Sequence, residues 1–186
     1  SDLGSLTRVL NFRPKSYRPW SMDLNQFIRT VPDFPTPGVF FKDISPLLAD
    51  SHALRYTVDV LLEKIDLDNV DAFVGLESRG FIFASMMAVK SGKGFIPFRK
   101  KGKLPPPVLA ESYNLEYGSA TLEALPGKGK IVIVDDVLAT GGTLEASIKL
   151  AQKCGYSVED VVVLIDLTFL NQFRFKNRKI KSVIAY

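Results

Sequence analysis

The sequence predicts an α/β protein with a mostly parallel central sheet flanked by helices on both faces. Three observations carry that reading. Apolar runs of strand length, such as Val161 to Ile165, recur along the chain. Segments with apolar residues at helical spacing lie between them. The two kinds alternate from Asp71 onward, as parallel strands joined by crossover helices do.

Residues 1–21 are expected to stand outside this fold, as a leader or disordered extension. They contain Pro14 and Pro19, follow neither period and lack the continuous apolar core of a secretory signal. Residues 22–186 are expected to form one domain. Asp23 to Val31 reads as a short helix with Asp23 as N-cap. Pro32 to Gly38 is loop, because three prolines forbid a helix. Ser51 to Ile65 is a helix: Leu54, Val58, Leu61, Leu62 and Ile65 share a face, and Asp50 or Ser51 can cap it. Strand follows at Asp71–Leu76, helix at Phe81–Lys90 and strand at Gly94–Phe98. Arg99 to Gly118 shows no clear regular structure, and loops that long are usually functional or disordered. Then come strand Lys130–Val134, helix Thr143–Cys154, strand Val158–Leu164 and a last strand over Ser182–Tyr186.

Composition removes several function classes. At 186 residues and 46% hydrophobic, the chain can bury a real core. Its apolar runs are too short for a membrane helix. The single cysteine, Cys154, cannot form an internal disulfide, which fits a reducing, cytoplasmic setting. The net charge is +4, but Arg8, Arg13, Lys15 and Arg18 against Asp2 put +3 of it in residues 1–21. The remainder carries only +1, which argues against a nucleic-acid partner. Neither His52 nor Cys154 has a ligand or nucleophile partner at a useful spacing, so both read as structural.

The strongest chemical signal runs from Val134 to Thr143. A buried strand ends at two adjacent carboxylates, Asp135 and Asp136. A small-residue turn follows, and a helix begins near Thr143. Gly141 and Gly142 let backbone approach a ligand closely. Unpaired amides at the helix start make an anion site, and Thr140 and Thr143 add hydroxyl donors. Carboxylates accept only, so they suit sugar hydroxyls or a metal's water shell. A phosphate cradle beside acceptors for a diol suits ribose 5-phosphate. The segment is neither a Walker A loop nor a dinucleotide fingerprint, since neither spacing is present. Gly75 to Gly80 also follows a strand and precedes a helix, so it forms a second amide nest, with Arg79 as a fixed positive charge. Arg99, Lys100, Lys101 and Lys103 open the long irregular stretch and can clamp an anionic leaving group.

These segments resemble the type I phosphoribosyltransferase family, in the form its adenine-using members carry. The match rests on the Val134–Thr143 segment and three other stretches in family order: Val31–Gly38 continuing into Phe41-Lys42-Asp43-Ile44, Gly75–Phe81, and Arg99–Pro105 with Ser112–Gly118. The resemblance implies the type I fold with a small N-terminal hood at about 22–45 and a lid at about 99–118. It implies conversion of adenine and phosphoribosyl pyrophosphate to AMP and pyrophosphate, in purine salvage, by a cytoplasmic homodimer. Asp135, Asp136, Ala139, Thr140, Gly141, Gly142 and Thr143 would bind the phosphoribosyl group. Glu77, Ser78, Arg79, Arg99, Lys100 and Lys103 would bind pyrophosphate, with a cis peptide at Glu77-Ser78. Phe40 and Lys42 would line the base pocket, with Val137 on the opposite face. Glu116 would act as general acid or base at the imidazole ring and Tyr117 would pack over the site, completing a catalytic set with Arg79 and Lys103. Magnesium would arrive on substrate oxygens and water, without a direct protein ligand.

Ala139 stands where the hypoxanthine–guanine members carry an aspartate, which points to adenine. The alternatives are another base, xanthine, hypoxanthine or orotate, and a non-catalytic phosphoribosyl pyrophosphate sensor of the same fold. A sensor predicts a lost lid and an attached DNA-binding module. Here Lys103, Glu116 and Tyr117 are present and no such module fits the length. Three departures from the family pattern stand out: Pro106 and Pro107 extend Pro105 into a triple proline, Lys42 replaces an arginine, and Asn171–Phe175 lacks the usual glycine- and charge-rich composition.

Overall fold

The computed structural model describes residues 21–115 and 118–186. Asp23 caps a single 3-10 turn, Leu24–Phe27, by accepting from the Asn25 amide. The helix expected through Val31 stops there. Thr30 and Val31 are β-branched, and Pro32 disfavours a helical residue before it. The chain instead forms β1, Arg29–Pro32, which pairs antiparallel with β2, Phe40–Asp43. The Asp33 carboxylate accepts from the Gly38 amide at 2.7 Å and closes the proline-rich loop between them. Helix α1, Ser45–Ala49, has Pro46 in its first turn, where a missing N–H costs nothing. Asp50 then caps α2, Ser51–Glu63, accepting from the His52 and Ala53 amides.

The alternating part runs β3 Ala72–Leu76, α3 Arg79–Ser91, β4 Gly94–Lys100, β5 Leu109–Leu115, β6 Gly118–Ala124, β7 Gly129–Leu138, α4 Gly142–Cys154 and β8 Tyr156–Asp166. A two-residue hairpin follows, β9 Arg174–Phe175 and β10 Arg178–Lys179, and then β11, Lys181–Ala185. One sheet orders these as β11-β8-β7-β3-β4-β6-β5. The first five strands are parallel; β6 and β5 extend the sheet antiparallel.

The irregular stretch expected from Arg99 to Gly118 is therefore largely strand. Leu109–Leu115 pairs with Gly118–Ala124 in continuous register, which leaves residues 101–108 as the loop. Tertiary contact stabilises this edge: Lys153 of α4 donates to the Ala110 carbonyl and pairs with Glu111. Local propensity carries no trace of a partner more than 40 residues away.

The central strands β3, β7 and β8 are buried on both faces. On β7, Val132 and Val134 face Phe73, Phe83 and Met87 on the α2/α3 side, while Ile131 and Ile133 face Leu144 and Leu150 on the α4 side. The helices leaving the neighbours β3 and β7 thus go to opposite faces. A crevice opens between the carboxyl ends of those two strands, where open α/β sheets bind ligands.

Candidate active site

Two turns meet at this crevice: Glu77-Ser78 between β3 and α3, and Ala139–Gly141 between β7 and α4. Strand β7 continues beyond Val134, pairing Asp135 with Val163 and Val137 with Ile165 of β8. The two aspartates therefore lie in the last part of the strand rather than after it, on a rigid element. Helix α3 starts hard against them. A Cβ on Gly80 would stand 2.7 Å from the Val134 carbonyl oxygen and 3.1 Å from Asp135 Oδ1, so only glycine permits this approach. The preceding residue, Arg79, places its Nε 2.7 Å from Asp136 Oδ2.

Asp136 is buried, and Oδ2 is the orphan of the site. The Arg79 contact is close but out of line, and this oxygen has no hydrogen-bond partner among the described residues. Asp135 retains some exposed surface, and its Oδ1 accepts from the Asp136 amide at 2.9 Å. Burial, and next the neighbouring Asp136 charge, raise the Asp135 pKa well above the ordinary carboxylate range. Two acceptors confined beside one cation favour an incoming donor or cation.

The turn beyond them has the predicted geometry. Gly141 adopts a left-handed φ of 97°, and α4 begins without a side-chain cap. The open amides at that helix start, with the exposed Thr140, form an anion cradle. Strand β5 runs close by: the Asn114 carbonyl oxygen lies 3.8 Å from where a Cβ on Gly142 would stand.

Opposite this cradle, Glu77 gathers the cations. Its carboxylate, 7% exposed, accepts from Lys103 Nζ at 2.5 Å, the Lys100 amide at 2.9 Å and Arg99 Nε at 3.3 Å. Burial alone would raise its pKa; the Lys103 bond, then the Lys100 amide and Arg99, outweigh it and lower the value to about 2. The Glu77 carboxylate offers an anion no donor; what it does in this structure is hold Lys103, the Lys100 amide and Arg99 together at the turn. No local signal marks this role, because the partners lie 22 to 26 residues further along the chain. The Glu77-Ser78 peptide is cis.

The β1–β2 hairpin folds over the same region. The Arg79 guanidinium lies 5.1 Å from the Phe41 ring centre, and Phe41 packs edge-on against Phe34. Phe40 is 63% exposed, so it is not a core residue. Lys42 Nζ donates to Thr30 Oγ1 and sits 3.8 Å from the centre of the Tyr186 ring. Val137 is half-buried against the core on the α2/α3 side. Tyr186 had not been singled out from sequence, and nothing in its neighbours does so. Cys154 is buried and its thiol pKa is raised by burial, in keeping with a structural role. Glu116 and Tyr117 lie outside the described residues, as do residues 1–20. Among the described residues no three His, Cys, Asp or Glu side chains gather as a metal site.

Known proteins are similar to this chain in sequence and fold. The phosphoribosyl transferase domain family matches residues 48–179. An adenine phosphoribosyltransferase from Bdellovibrio bacteriovorus is 56% identical over 165 residues, covering 89% of this chain and all of the relative. The crystal structure of adenine phosphoribosyltransferase from Rhodothermus marinus superposes with a TM-score of 0.79 at 46% identity, covering 88% of this chain and 96% of that one. The Giardia lamblia enzyme complexed with 9-deazaadenine gives 0.81 at 35% identity, with the same coverage.

Proposed function

Because the chain belongs to the phosphoribosyltransferase family, we propose, from its match to the adenine-using members, that it converts adenine and phosphoribosyl pyrophosphate to AMP and pyrophosphate in purine salvage. The observation that carries the reading is the pairing of an uncapped glycine turn with two site-facing acceptors, Asp135 and Asp136, beside a cation cluster. A ligand with a phosphate at one end, a diol in the middle and a diphosphate at the other matches that order of groups.

In this scheme Ala139 to Thr143 hold the 5-phosphate, and Asp135 and Asp136 take the ribose hydroxyls. Arg79, Arg99, Lys100 and Lys103 face the departing diphosphate, with Ser78 at the same turn. As the bond from C1 to the pyrophosphate oxygen lengthens, negative charge builds on the leaving group and these cations stabilise it. Positive charge on the ribose is left near the two carboxylates. Adenine then attacks through N9, held between Phe40 and Val137 next to the Lys42 backbone, and Glu116 handles the proton of its imidazole ring. Ala139 leaves no carboxylate for the N7 proton of a 6-oxopurine. Residues 22–45 act as a hood over the base. The 99–118 stretch, a loop on a sheet-edge hairpin, acts as a lid that excludes water.

Magnesium fits this donor set: the orphan Asp136 oxygen beside Asp135 can hold a metal's water shell, while substrate oxygens supply the direct ligands. When bound, it would neutralise diphosphate charge. A homodimer in the cytoplasm completes the reading. Sedimentation tests the dimer. Among the described residues no helix is long and apolar enough to cross a membrane.

The test is pyrophosphate release from adenine, phosphoribosyl pyrophosphate and magnesium, with guanine, hypoxanthine and xanthine as controls. Asp136→Ala and Lys103→Ala are expected to lower turnover about a hundred- to a thousandfold. Full activity in both would sink the scheme.

A further inference from the structure

We propose that Asn171 and Phe173, in the stretch that departs from the family pattern, are positioning residues for the phosphate turn. The proposal rests on residues 139–143 being the phosphoribosyl cradle. Beyond β8 the Leu167 amide bonds the Leu138 carbonyl, tying the exits of β8 and β7 together. Asn171 then uses its whole side-chain amide on this segment. Its Nδ2 donates to Asp166 Oδ1 at 3.0 Å and to the Leu167 carbonyl at 2.9 Å, and its Oδ1 accepts from the Phe173 amide at 3.0 Å.

That clasp sets where the Phe173 ring stands. The ring packs on the α4-side core and lies against Gly141: a Cβ there would be 2.8 Å from Phe173 Cδ2 and 3.3 Å from Cγ. Gly141 carries the left-handed φ of 97° that launches α4. Glycine adopts this conformation readily but is the residue with the most backbone freedom to leave it, so the ring of Phe173 restricts the turn from outside. A chain of contacts therefore runs from Asp166 through Asn171 and Phe173 to the residue on which the aim of the phosphate-binding amides depends. Neither Asn171 nor Phe173 needs to touch substrate to act.

The variants Phe173→Ala, Phe173→Leu and Asn171→Ala test this in the whole enzyme, with ribose 5-phosphate and inorganic pyrophosphate as separate inhibitors of AMP formation. Misplacing a positioning group costs about ten- to a hundredfold. Phe173→Ala is expected to weaken ribose 5-phosphate inhibition and raise the KM for phosphoribosyl pyrophosphate by about that factor, leaving pyrophosphate inhibition unchanged. Phe173→Leu keeps an apolar brace and restores most of the loss; Asn171→Ala moves the same constants in the same direction by less. Should Phe173→Ala not fold, Asn171→Ala carries the test. Equal weakening of both inhibitors, or of neither, overturns the proposal. If the unaltered enzyme is not inhibited by ribose 5-phosphate at all, the cradle reading fails first and the proposal with it.

Discussion

Replacing Glu77 with glutamine leaves its shape and removes its charge, which isolates what the cation clasp contributes. Folding lowers the Glu77 pKa from the ordinary 4.5 to about 2. At about 1.4 kcal/mol per unit, that shift corresponds to about 3 kcal/mol. Lys103 and Arg99 keep 49% and 34% of their side-chain surface exposed, so solvent screening reduces the figure to about 1–2 kcal/mol. The sign follows from the folded carboxylate being the stronger acid. Its contribution is complete above the unfolded pKa of 4.5 and disappears as pH falls toward 2. Urea unfolding of both proteins at pH 7 and pH 3 is the assay. The wild type is expected to be about 1–2 kcal/mol more stable at pH 7, with less than half of that margin left at pH 3. A margin that stays constant between the two pH values, or is absent at pH 7, would refute the clasp.

Three other outcomes follow from the geometry. Gly80→Ala puts a methyl group into the Val134 carbonyl, so α3 must shift; a stability loss of about 1–3 kcal/mol and a fall in kcat are expected in calorimetry and steady-state assays. Asp50→Ala removes the cap of α2 and is expected to cost about 1 kcal/mol in urea unfolding with turnover unchanged. Tyr186→Leu removes the ring beneath Lys42 and the 2.8 Å bond to Asn25. With about 0.5–2 kcal/mol of cation–π energy lost, the KM for adenine should rise severalfold while that for phosphoribosyl pyrophosphate stays put, and Tyr186→Phe should behave closer to wild type.

Much of this was legible in the sequence because the signals were local. The parallel strands showed as apolar runs, α2 as a periodic face behind Asp50, and the turn from β7 into α4 as glycines and threonines behind adjacent carboxylates. What escaped depended on partners distant in sequence. The edge strand Leu109–Leu115 is held by its pairing with β6 and by Lys153. The role of Glu77 appears only when Lys103 folds back onto it. The helix expected through Val31 failed for a local reason, Pro32, whose effect on the preceding residues outweighed their apolar spacing. Phe173 reaches Gly141 and Tyr186 reaches Lys42 from the far end of the chain, and no motif contains either.

The carboxylate of Asp136 ties folding to the crevice. It is buried with Arg79 Nε 2.7 Å from its Oδ2, and taking away one member of such a pair leaves the other charge without its counterweight. A change at this aspartate therefore disturbs the seating of α3 as well as the crevice, and unfolding must be measured beside turnover to separate the two.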